Sequence, residues 1–241
     1  IIPPSPTAFA LGNYGNVPVG LFTGSLNLQV PITEFKSGKI NVPINLFYGS
    51  NGIKVDDVSG NVGLGWNLNF GGVITKTIRD LDDNEGYNVP IPENLNGYTV
   101  NSSIANAFYY EGGNALADTE KDLYSFSFNG HSGKFVFDEN DKPILYSQEN
   151  LIIKRENLVG FSITTQDGTK YFFSDEEKTS FRTMGDGFTN PGQLRPTAWY
   201  LSKIVNTLGN EIYFSYDNGG ADYEVSKSQT FKIYTPSPQS T

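Results

Sequence analysis

The sequence has no cysteine and a single histidine, His131. Without thiols there is no disulfide framework, no thiolate nucleophile, no zinc–thiolate site and no iron–sulfur cluster. One imidazole is too few for a multi-histidine metal centre. Basic residues are scarce: 17 Lys and Arg stand against 26 Asp and Glu, a formal charge of −9. That balance leaves no basic stripe to release counterions from a phosphate backbone, which argues against a nucleic-acid partner. No apolar run approaches the ~18 residues that mark a membrane-spanning helix. The opening residues, Ile1-Ile2-Pro3-Pro4-Ser5-Pro6, carry neither Met nor a signal-like charged and apolar region. They are expected to be a lead-in left by removal of a signal, or the start of a piece cut from a longer protein.

Aromatics and turn formers are plentiful. The 241 residues include 17 Phe, 14 Tyr, 2 Trp, 26 Gly and 13 Pro. Leu26, Leu28, Val30 and Ile32 recur at period two, as do Ile40, Val42, Ile44, Leu46 and Tyr48, with Gly38 between the runs. The pair predicts a β-hairpin, and Pro31 within the first run predicts an edge strand or a bulge. Gly63, Gly65, Gly71 and Gly72 then surround Trp66, Leu68 and Phe70. Glycine in strand-like sequence marks a bulge or a close backbone approach, here over the indole, which places Trp66 in the core. The same run lacks the third glycine of a dinucleotide fingerprint and the Lys-Ser/Thr of a phosphate loop.

Residues 80–122 read as an irregular insertion with a short helix over Ser102–Tyr110, capped by Ser102 or Ser103. Beyond it a loose repeat sets in, each unit a strand, a glycine, an aromatic-rich strand and an aspartate-containing stop. Gly133, Gly168 and Gly209 serve as the turn glycines, and the third unit ends in Tyr216-Asp217. A further alternating segment follows over 222–234, and 235–241 reads as linker. Together these features predict an all-β fold of antiparallel hairpins forming a curled sheet or β-sandwich. It has roughly ten to fifteen strands and at most one short helix.

Specific blocks run through nearly the whole chain: Phe22-Thr23-Gly24, Val42-Pro43-Ile44, Gly52-Ile53-Lys54-Val55, Val62-Gly63-Leu64-Gly65-Trp66-Asn67-Leu68 and Gly71-Gly72-Val73-Ile74-Thr75. Asp122-Leu123-Tyr124, Ser132-Gly133-Lys134-Phe135 and Trp199-Tyr200-Leu201-Ser202-Lys203-Ile204 extend them, leading into Tyr216-Asp217. In these the chain resembles the N-terminal region of bacterial RHS/YD-repeat proteins, particularly long secreted or surface members of the Bacteroidetes type. Such proteins are similar to the shell-forming B component of insecticidal toxin complexes, whose hairpins wind into a hollow β cocoon. The resemblance implies a non-catalytic segment, 1–241, that starts or caps a β shell outside the cytoplasm. It comprises first hairpins over 1–79, the insertion, repeated hairpins over 123–234 and a linker. Its expected partners are downstream YD repeats of the same chain and other surface or secreted proteins or glycans. No cofactor is implied. One clear YD-like unit is present, and neither a self-cleaving protease core nor a toxin.

Candidate chemistry is sparse. His131 lies in a turn-like run, and no Gly-x-Ser-x-Gly supplies a nucleophile elbow. Asp80, Asp82 and Asn84 place oxygen ligands at alternate positions, a pattern suited to Ca²⁺. Against it, Glu85 stands where a calcium loop needs glycine and Ile91 where it needs a bidentate glutamate, which favours a solvated acidic turn and no metal. The acids Asp138-Glu139 and Asp175-Glu176-Glu177 read as solvated turns rather than a glycosidase pair. Trp199, after Pro196, is the candidate aromatic platform for a sugar. That would make the chain a carbohydrate- or surface-binding β-sandwich adhesin module, the alternative to the shell segment.

Overall fold

The computed structural model describes residues 26–50, 57, 59–79, 81–85, 102–114, 118–156, 160–180, 183–185, 188–190, 192–217, 219–220 and 222. The expected all-β antiparallel architecture is present, with one short α-helix among the described residues. The first hairpin pairs β1 (Leu26–Ser37) with β2 (Ile40–Ser50), and β3 (Trp66–Asn69) adds to β2, making a three-stranded sheet. Pro31 acts as expected. It lies on an outer strand, and the register shifts between Pro31 and Thr33, where a residue without an N–H interrupts the ladder at least cost.

A nine-stranded sheet forms the body. Its strands are β4 (Gly72–Thr77), β5 (Leu123–Phe128), β6 (His131–Phe137), β7 (Pro143–Leu145), β8 (Ile152–Glu156), β9 (Gly160–Thr164), β10 (Lys170–Thr179), β13 (Arg195–Val205) and β14 (Glu211–Tyr213). Two short strands, β11 (Thr183–Gly185) and β12 (Phe188–Asn190), pair separately. The spatial order is β7-β6-β5-β4-β13-β10-β9-β8, with β14 also on β13. Hairpins lie side by side, except where β4, from the first third of the chain, inserts between β5 and β13.

Alternation in these strands is strict where it matters. Tyr124, Phe126 and Phe128 of β5 point inward, as do Phe135 and Phe137 of β6 and Tyr171 and Phe173 of β10. The sheet curls until its ends nearly meet. Phe137 of β6 stacks 6.1 Å from Phe161 of β9, and the Arg155 guanidinium of β8 lies 4.3 Å from the centre of the Phe137 ring. Aromatic rings therefore fill a nearly closed barrel, with Ile74, Ile163, Leu201 and Ile204 wholly buried between them. Bulges set the curl. Ser174 of β10 and Ser202 of β13 are skipped in the ladder, and their hydroxyls hydrogen-bond each other at 2.7 Å.

Gly133 departs from its expected role. The turn is at Asn129-Gly130, and Gly133 lies within β6, paired to Phe126. A Cβ there would come 2.7 Å from Phe126 Cζ, so this glycine makes room for a ring instead of bending the chain. His131 accordingly opens a strand, its Nδ1 3.0 Å from Glu149 Oε2. Gly168 and Gly209 do occupy turns. At Gly168 the φ of +80° is preceded by Asp167, whose carboxylate accepts from the Thr169 amide at 3.1 Å and the Thr165 hydroxyl at 2.5 Å.

The helix α1 runs Ser103–Gly113 with Ser102 as N-cap, its hydroxyl accepting from the Ala105 amide. It extends three residues past the expected end. Among the described residues no helix is long and apolar enough to cross a membrane.

Candidate functional site

The three-stranded sheet is the most unusual surface. Antiparallel partners share a face, so Leu28, Tyr48 and Trp66 form one row across it and Val30, Leu46 and Leu68 the next. The opposite face carries Gln29, Phe47 and Asn67 in one row and Pro31, Asn45 and Asn69 in the next. The apolar face is buried only at one end, where Ile40 and Val42 join the aromatic core. Farther along it opens: Val30 is 39% exposed and Leu68 47%. Apolar side chains aligned on one side of a sheet, without a covering layer among the described residues, are the signature of an interaction surface.

The chain's exit lies beside this face. After β14 the backbone runs on along β13, the Phe214 amide donating to the Ser202 carbonyl at 2.9 Å. The Tyr216 hydroxyl donates to the Leu201 carbonyl, also at 2.9 Å, and its ring sits 5.2 Å from that of Tyr200. The Phe214 ring packs edge-on against Phe70, and a Cβ on Gly71 would meet Tyr216 Oη at 3.1 Å. The Tyr of the Tyr216-Asp217 pair is thus a strand anchor, while Asp217 is exposed.

The two tryptophans exchange their expected environments. Trp199 is only 7% exposed, with Phe161 at 4.8 Å edge-to-face, Tyr124 at 6.2 Å and its indole N–H donating to Glu176 Oε1 at 3.3 Å. It has no open face for a sugar. Trp66 is half-buried on the open sheet, 5.1 Å from Tyr48, with Gly63 lying under its edge as the glycine pattern suggested. Gly65 and Gly71 take positive φ around it, and Gly72 pairs with Phe128 too closely to admit a side chain.

The expected calcium residues belong to a different arrangement. Asp80 lies outside the described residues. Asp82 lies in a buried charge cluster at the base of the insertion, with Lys76 at the end of β4, Asp118 and Asp122, and partly buried Asp83 and exposed Asn84 border it. Lys76 Nζ stands 2.6 Å from Asp82 Oδ2 and 3.3 Å from Asp122 Oδ2, all three side chains being at least nine-tenths buried. The 2.6 Å approach is a charge contact rather than a well-directed hydrogen bond. Asn84 turns its amide nitrogen toward Asp82 and its oxygen toward Arg155. The lysine ammonium thus takes the place a cation would need, and among the described residues no three Asp, Glu or His side chains converge as metal ligands.

Charge within the cluster is unevenly shared. Burial pushes the Asp82 carboxyl up, but Lys76 and the Asn84 donors together hold it below its ordinary value. Burial raises Asp122 despite the Arg79 amide and Lys76. Asp118, 3% exposed, is pushed up to about 6 by burial, with the Asp83 and Asp122 charges adding to the rise and the Glu120 amide opposing it. A carboxyl whose folded pKa is raised loses stability as pH climbs from its unfolded value, 3.8, through about 6, and stays weakened above. Asp118→Asn keeps the neutral shape. It is expected to stabilise the fold above pH 6 by up to about 3 kcal/mol, the difference shrinking to nothing below the unfolded value. Thermal melts across pH check this; an equal shift at every pH would mean that Asp118 is not the titrating group.

No family model, no curated protein and no solved structure matches the chain. The class rests on the fold alone: an antiparallel all-β protein built on one nearly closed, aromatic-filled sheet. The cluster around Lys76 was not foreseen in the sequence. Its one signal is a lone lysine on the inward phase of β4, in register with Ile74.

Proposed function

We propose that this chain is a non-catalytic structural segment of a larger extracytoplasmic YD-repeat protein, and that it starts or caps a β shell. The observation that carries the reading is the half-open apolar face of the β1–β2–β3 sheet, beside which the chain leaves the main sheet at Phe214–Asp217. Hairpins added after that exit would extend the structure over this face. Apolar rows left uncovered among the described residues recruit other chains. The 241-residue chain is therefore expected to associate as concentration rises. The alternating segment after 222, around Phe231 and Ile233, lies outside the described residues and is the expected contact.

Light scattering over a concentration series, on the parent and on Phe231→Lys, tests this. Association weakened by the lysine supports the shell reading; a strictly monomeric parent counts against it. A second reading, a glycan- or surface-binding module, is favoured by Trp66 and Tyr48, neighbouring rings on the same half-open face. Glycan-array binding by a monomeric parent, abolished by Trp66→Ala, would decide for that module.

A further inference from the structure

We propose that Lys76 and Asp122 join through an intramolecular amide bond, a covalent clasp across the base of the insertion that separates β4 from β5. Lys76 Nζ is fully buried between the carboxyls of Asp82, at 2.6 Å, and Asp122, at 3.3 Å. The two carboxyls are held differently. Each oxygen of Asp122 accepts a backbone N–H, Oδ1 from Arg79 and Oδ2 from Asp83, both at 3.1 Å. Whichever oxygen stays on the carbon keeps one amide donor, which steadies the developing oxyanion during acyl transfer. In Asp82 the Asn84 amide and side chain occupy Oδ1 at 2.9 Å each, which leaves Oδ2 against the amine. Asp122 is the electrophile and Asp82 the base.

The step closes without any co-reactant. Asp82 carboxylate takes one proton from the Lys76 ammonium, and the freed lone pair attacks Cγ of the protonated Asp122 carboxyl. The C–N bond forms, and the C–OH bond then breaks. The hydroxyl leaves as water with a second amine proton, and the third stays on the amide nitrogen. Asp82 ends protonated. The cluster exchanges a buried ion pair for a neutral amide and a neutral carboxyl, which lifts the cost of holding both charges away from water. Burial, which favours the protonated form of Asp122, works in the same direction. Exclusion of water also protects the product from hydrolysis. Once formed, the bond ties the end of strand β4 to the residue before β5, so that the two ends of the insertion are held together.

Denaturing intact-mass measurement of the purified 241-residue chain is the test. The expected mass is one water below that of the sequence, with a branched peptide joining the Lys76 and Asp122 fragments in a digest. Lys76→Arg and Asp82→Asn should restore the full mass, and Asp122→Asn should lose ammonia in place of water. The parent measurement needs no variant to fold. A folded parent of full mass would overturn the proposal. So would a water loss mapped to Asp82, or to a linear peptide dehydrated at Asp167-Gly168.

Discussion

Trp199→Ala is expected to lower folding stability by about 3–5 kcal/mol, the usual cost of emptying a buried aromatic site. The indole fills the wall of the barrel between Phe161 and Tyr124, and its N–H satisfies Glu176. Removing it opens a cavity that the rings on two other strands, Tyr124 of β5 and Phe161 of β9, cannot close without leaving their rotamers. Trp66→Ala should cost clearly less, because half-buried Trp66 already gives part of its surface to water. Urea unfolding of the two variants, followed by circular dichroism so that loss of the indole does not blind the probe, measures the difference. Equal losses would mean that the β3 sheet is covered in solution.

The second large effect falls on Lys76. Compared with a parent whose Lys76 is still an ammonium, before any bond to Asp122 forms, Lys76→Met removes the positive charge from between two buried carboxyls and should cost about 3–5 kcal/mol near neutral pH, the range for a buried pair with one partner deleted. Its pH dependence carries the sign. In the parent, the depressed Asp82 pKa contributes stability that is present above 3.8 and lost as pH falls below it. In the variant only the Asn84 donors oppose burial at Asp82, so both buried carboxyls are expected to take up protons more readily folded than unfolded. The variant should therefore gain on the parent as the solution is acidified from pH 7 toward 4. A penalty that stays constant with pH would assign Lys76 a packing role instead of an electrostatic one.

Much of the strand content could be read from local order. Period-two runs at Leu26–Ile32, Ile40–Tyr48 and Tyr124–Phe128 name their own inward faces, because a side chain's direction in a strand follows from its parity. The Asp167-Gly168 turn and a serine cap at 102 or 103 were equally legible, since both depend on hydrogen bonds within a few residues, and the structure selects Ser102. Gly133 misled for a physical reason: a glycine that clears space for a distant ring looks, in one dimension, like a glycine that turns the chain. The tryptophans misled in the same way. Trp66 stands among glycines and apolar residues but on a short strand of an outlying sheet, and Trp199 follows a proline yet sits on the strand that the most neighbours cover.

Composition and alternation alone therefore determine that the chain is β-rich, antiparallel and aromatic-cored, because those properties depend on residue type and parity. Which rings face water, which end of the β1–β2–β3 sheet is closed, and that Lys76 meets Asp82 and Asp122 depend on where β4 inserts between β5 and β13. That placement is a pairing between segments far apart in the chain, and no local pattern carries it. Asp82 illustrates the split: its neighbours in sequence suggest an exposed ion loop, and its neighbours in space make it the buried partner of a lysine.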